Sequence, residues 1–398
     1  MMGEKRKTKN GRRNAWLFRF SFFVLLWFGS GPQLLLAQET AAAVSYSFGQ
    51  SLLFSLESER TDVETAVLFF AAPQFPNALQ VSLPVAEGQP IDLSYRVNLA
   101  EIRLAPFSTV TYWWELLTTA GDWEQLPRQT FTYADDRFSW QERPGQIVTV
   151  FWTGDDPALG QLAQDIVAES LPRLQAILPV TPMPFSLYLY PSSADLRSAL
   201  RLTGRDWVGA HADPGLGVML VTAVNPRTAA ADLRQSIPHE MVHLLLYQTM
   251  GAQVEALPAW LNEGVATLLE TNPNPGYELA LETAVANQTL IPFKDLCLNF
   301  PSAEEQAILA YAQSASFLRY IQTQHGNRAI GDMVAAYADG ADCQTGVERG
   351  ISHSLSDLDS AWQQSLSPTT SLAFLWQDYG VWLIVMIGGF GLSLLLML

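Results

Sequence analysis

Between residues 44 and 133 apolar and polar positions alternate with period two, the pattern of strands that bury one face. The alternating runs are 44–48, 52–56, 67–70, 79–83, 91–97, 110–116 and 129–133, and turn sequences such as Pro76-Asn77, Glu87-Gly88 and Ala120-Gly-Asp122 separate many of them. Seven short strands in about 90 residues predict a β-sandwich over 41–134 with an immunoglobulin or fibronectin-like outline. No Cys-Trp-Cys spacing occurs, which argues against an antibody-type domain. Trp113, Trp114 and Trp123 read as packing residues rather than a ligand shelf.

Residues 134–145 are polar and turn-rich and read as a boundary. Beyond them the rhythm becomes α+β. Strands are expected at 147–152, 185–190, 207–211 and 217–222, with helices at 156–180 and 194–202. From Thr228 the period is helical, over 228–250, 258–271, 276–288, 302–324, 327–338 and 354–366. Residues 146–366 therefore predict one domain, a small sheet followed by a helical set.

Composition changes this picture mainly at the two ends. Residues 1–37 carry seven Lys/Arg against the single acid Glu4, then an apolar stretch ending at Ala37, the form of an export signal or an uncleaved signal anchor. Tyr379–Leu398 is 20 residues without a charge, long enough to cross a bilayer as a transmembrane helix, with 367–378 as its tether. The body is expected outside the cytoplasm, held at the cell membrane by a single pass. Removing the N-terminal +6 from the formal −16 leaves −22 on the remainder, which sets nucleic acid aside as a partner. In an exported chain the isolated pair Cys297 and Cys343 favours a disulfide.

Candidate chemistry concentrates in Ile237-Pro-His-Glu-Met-Val-His-Leu-Leu-Leu246. On a helix, His239 and His243 share one face a turn apart and can reach one ion, with Glu240 beside it. A glutamate on so apolar a helix would be costly without a compensating charge. Pro238 leaves two helix starts open: a cap at Ser236, or a kinked helix continuing from Asp232. Both keep the histidines on one face. Glu263, 20 positions after His243 in Trp260-Leu-Asn-Glu-Gly264, is the candidate third ligand, and Gly264 is expected to let the two helices approach. Asp232, Glu255 and Glu270 suit that role less well.

His239-Glu-Met-Val-His243 followed by Trp260-Leu-Asn-Glu-Gly264 resembles the gluzincin metallopeptidases, and more closely the peptidase MA-like domains of bacterial exported proteins. The resemblance implies one catalytic Zn2+ on His239, His243 and Glu263, Glu240 as general base, and a peptide or protein substrate. It also implies an oxyanion-stabilising tyrosine, for which Tyr311 matches best and Tyr320 second. Gly209-Ala-His-Ala-Asp213 lacks the Met-Glu-Asn pattern of the aminopeptidase members, so their specificity is not expected. The competing expectation is a non-enzymatic surface protein that keeps the domain for binding. The intact Glu240 speaks against it, since a binding module needs no base.

Overall fold

The computed structural model describes residues 40–201, 209–223, 228–366 and residue 380. The export segment, the tether and, apart from residue 380, the apolar run 379–398 lie outside the described residues. Among the described residues no helix is long and apolar enough to cross a membrane.

The N-terminal half is a pair of antiparallel sheets. Its strands are β1 (Ala41–Ser47), β2 (Ser51–Ser58), β3 (Val63–Ala71), β4 (Leu79–Pro84), β5 (Ile91–Asn98), β6 (Thr109–Thr118), β7 (Trp123–Gln125) and β8 (Gln129–Thr132). One sheet runs β1-β2-β5, the other β4-β3-β6-β7 with β8 also on β6. Alternation turns Leu52, Phe54 and Leu56 from the first sheet toward Ala66, Leu68, Tyr112 and Trp114 from the second, in one buried core. The strand β7 was not foreseen, and its Trp123 is 58% exposed, contrary to the packing role expected for it. Trp113 does pack, stacked on Phe69 with the Arg128 guanidinium 4.0 Å over its ring.

The second sheet system follows directly. It comprises β9 (Trp140–Arg143), β10 (Val148–Thr153), α1 (Pro157–Gln175), β11 (Phe185–Tyr190), α2 (Ser193–Leu200), β12 (Ala210–Asp213) and β13 (Val218–Thr222). The sheet order is β12-β13-β11-β10-β9, parallel through β13, β11 and β10 and antiparallel at both edges. Residues 134–145, expected as a polar boundary, thus contain an edge strand. Their composition hides it because both β9 faces are only partly buried.

Both faces of this sheet are covered, which explains why β13 (Val-Met-Leu-Val-Thr) is apolar without alternation. Leu187, Leu189, Met219 and Val221 face the helical side. Tyr188, Tyr190, Val218 and Leu220 join the core of the β-sandwich. Phe107 stacks on Tyr188 with ring centroids 3.5 Å apart, held there by a backbone φ of 63°. That left-handed conformation is unfavourable for a bulky residue, and burial of the ring between the two units offsets it.

The helices are α3 (Ala229–Met250), α4 (Ala259–Leu269), α5 (Gly276–Asn287), α6 (Glu304–His325), α7 (Arg328–Ala338), α8 (Thr345–Ile351) and α9 (Leu355–Leu366). Of these only the seven-residue α8 was not foreseen. Cys297 and Cys343 form a disulfide, Cα atoms 5.9 Å apart, joining the approach to α6 with the α7–α8 connection. Replacing both by serine is expected to lower stability by about 2–4 kcal/mol, measured as a fall in urea midpoint.

Candidate active site

α3 runs unbroken from Ala229 through Pro238, so the longer of the two expected helix starts is the one observed. Proline has no amide hydrogen, so the carbonyl of Arg234 one turn back loses its helical donor. The end of α4 supplies replacements. Thr271 donates to that carbonyl from its amide at 3.0 Å and its hydroxyl at 2.8 Å, and the Asn272 amide lies at 3.3 Å. The proline therefore joins α3 to α4 instead of merely weakening α3.

That junction sets the site. His239 and His243 project from one face of α3, ring centroids 5.2 Å apart. Glu263 on α4 brings Oε2 to 3.4 Å from His239 Nε2 and 3.8 Å from His243 Nε2. One donor atom from each of the three falls within 4.8 Å of the other two. Ligands bonded tetrahedrally to zinc at about 2.0–2.1 Å stand ~3.3 Å apart, so the set needs little adjustment to close on an ion.

The remaining imidazole nitrogens are also committed. His239 Nδ1 lies 3.1 Å from Glu270 Oε1, and His243 Nδ1 lies 3.0 Å from Asn262 Oδ1. A carboxylate and an amide oxygen accept hydrogen bonds there, which puts the proton on Nδ1 and leaves Nε2 as the ligating atom. Burial disfavours a charge on His239, yet Glu263 and Glu270 override it and hold that imidazole up at about 10. Burial also opposes charge on Glu263, and the two histidines hold its carboxyl below the usual range. The pocket thus stabilises a cation between these groups, and a His-His-Glu donor set is one that suits zinc.

Glu240 is buried at 7% exposure and has no hydrogen bond to a described residue. It lines a cavity of about 780 Å³ together with His239, His243 and Glu263. Tyr311, on α6, lines the same cavity with its ring centroid 6.0 Å from that of His239. Burial and the Glu263 charge push its hydroxyl above the ordinary tyrosine value, so it remains a proton donor. Tyr320 packs against the hydrophobic core and does not line the cavity. His211 on β12 forms part of the cavity wall, and burial pushes its imidazole down toward the neutral form.

The expected role of Gly264 needs correction. A methyl group there would meet Leu318 Cδ1 at 2.9 Å and Ser314 Cβ at 3.0 Å, both on α6. The glycine therefore admits α6, not α3, and so sets how closely Tyr311's helix backs the Glu263 helix. Three further residues were not assigned from sequence. Asn262 and Glu270 orient the histidines, and Tyr277 lines the cavity with its hydroxyl 3.4 Å from Glu270 Oε1. A spacing signal existed for Glu270, which follows Glu263 by seven residues and so shares its helix face. Glu270→Gln is expected to weaken metal affinity about 10–100-fold with the fold retained, as read by competition against a chelator.

A model of the Peptidase MA superfamily matches residues 166–368. The chain belongs to the Peptidase MA superfamily. The superfamily match runs from within α1 through α9 and includes every residue of the His-His-Glu cluster, but neither β9, β10 nor any of the β-sandwich. No curated protein matches the chain. Among solved structures, OgpA from Akkermansia muciniphila is 16% identical over 24% of this chain and 28% of its own, with a TM-score of 0.20. A polysaccharide deacetylase from Bacillus cereus is 10% identical over 43% and 58%, with a TM-score of 0.21. A purple acid phosphatase from yellow lupin (Lupinus luteus) seeds is 11% identical over 47% and 35%, with a TM-score of 0.19. The chain spans less than two thirds of each, and these overlaps bear on neither fold nor activity.

Proposed function

We propose that this Peptidase MA member is a zinc-dependent peptidase whose body works outside the cytoplasm, tethered to the membrane by the apolar segment 379–398. The observation that carries the reading is Glu240, a buried carboxylate that makes no hydrogen bond to a described residue, beside a convergent His-His-Glu donor set. His239, His243 and Glu263 would hold the ion, with Glu270 and Asn262 fixing the imidazoles. A bound zinc supplies Lewis acidity, making a water easier to deprotonate and a peptide carbonyl more electrophilic.

Glu240 takes the proton from the attacking water and later delivers it to the departing amine. Tyr311 donates a hydrogen bond to the carbonyl oxygen as negative charge gathers there. A protein that only bound ligands would gain nothing from burying a carboxylate here that makes no hydrogen bond to a described residue.

The test uses the full chain in detergent, with bound metal quantified and a peptide library screened with and without a chelator. One zinc per chain and chelator-sensitive cleavage are expected. Glu263→Ala should lose most of the bound zinc and, with it, the cleavage. A chain without zinc, or cleavage indifferent to the chelator, overturns the reading. Surface labelling of intact cells with a membrane-impermeant reagent tests the location, and a body inaccessible to it would refute that part.

A further inference from the structure

A second, smaller cavity of about 70 Å³ lies where the β-sandwich meets the catalytic sheet. The β5–β6 loop contributes Arg103, Leu104, Ala105 and Pro106, and α2 with its C-cap contributes Ala199, Leu200 and Arg201. His211 and Asp213 of β12 close it. His211 also lines the large cavity, so this edge strand borders both. The volume is enough to admit a carboxylate group.

Its charge is the reverse of its surroundings. The large cavity is lined by five glutamates, with no lysine or arginine, in a chain of net charge −16. The small one has two guanidiniums against Asp213 alone. Arg201 is committed to the sandwich, donating to the carbonyls of Leu99 and Gly49. Asp213 is engaged too, accepting from the Leu216 amide at 3.2 Å. Arg103 donates from Nη2 to the Leu200 carbonyl at 2.8 Å and makes no other hydrogen bond or ion pair among the described residues. It is an exposed guanidinium held by one corner, with further donors available. That anchoring reduces the ordering needed to grip an anion, and a guanidinium fork matches a carboxylate.

We propose that Arg103 is a specificity-determining residue, receiving a carboxylate of the substrate in a notch beside the catalytic cleft. The inference rests on the peptidase reading of the cleft, but Arg103 lies outside the segment that matches the superfamily, so nothing about it is inherited from that match. Two sources share this chemistry: an acidic side chain and the free C-terminus of a peptide. The β-sandwich then supplies part of the substrate site in addition to covering the sheet.

The experiment takes a peptide that the full chain cleaves and prepares it with an acidic or amide side chain, and with a free or amidated C-terminus. Arg103→Ala should lower kcat/KM about tenfold, through KM, for the peptides bearing the recognised carboxylate and for no others. Arg103→Lys should recover part of the loss. Discrimination between the side-chain pair identifies an acidic residue, and discrimination between the C-terminal pair identifies a terminus. The same loss for every peptide, or none for any, overturns the proposal, the former marking Arg103 as a structural joint only. Fluorescence anisotropy with the same peptides reads the notch without hydrolysis. A carboxylate-dependent affinity that Arg103→Ala abolishes would sustain the notch even where the peptidase reading had failed.

Discussion

Glu240→Gln is expected to lower kcat by about 10²–10⁴-fold while bound zinc stays at one per chain. The amide keeps the size and buried position of the carboxylate but cannot accept the proton. KM should move little, since no substrate contact is removed. The fold should tolerate the change, because Glu240 makes no hydrogen bond to a described residue that the amide would break. Metal content measured beside the kinetics separates this outcome from a collapsed site. Retained activity with intact zinc would remove Glu240 from the mechanism and with it the strongest argument for catalysis.

The second large effect is on stability, at the seam between the two halves. Asp135 is fully buried and holds the Arg137 guanidinium through both oxygens, at 2.8 and 2.6 Å. It also accepts from the Tyr190 hydroxyl at 3.0 Å, while Arg137 reaches the Ser198 hydroxyl and the Asp195 carbonyl on α2. Asp135→Ala strands the buried Tyr190 hydroxyl and loosens Arg137 at once. Arg137 is one-third exposed and can turn to water, so the expected loss is about 2–4 kcal/mol, below that of a fully sealed pair. Urea unfolding should show one transition with a lowered midpoint, since the sandwich and the sheet share a core. Two separate transitions, with the helical half unmoved, would refute that coupling.

Much of this arrangement was legible in the chain because it depends on local spacing. The period-two runs of 44–133 and the helical runs after Thr228 reflect one-sided burial, which periodicity records directly. His239, Glu240 and His243 needed only a helix to share a face. Glu263 was reachable from its position 20 residues after His243, and Tyr311 only through the family resemblance. Trp123, β7 and β9 were misread or missed because short edge strands that stay partly wet carry no strong alternation.

What the sequence offered by itself was a candidate set, His239, Glu240, His243 and Glu263, and the helix that presents the first three of them. Only the tertiary structure decided how they are held. The Arg234 carbonyl, freed by Pro238, finds its donors 37 residues away at Thr271, and no local pattern records that. Gly264 proved to face α6 rather than α3, a matter of which neighbour arrives and not of the glycine's own preference. Arg103 meets β12, which borders the cleft, only because the sandwich and the second sheet bury a common core. Local periodicity specifies which face of an element is buried; the partner for that face is chosen by packing among all the others.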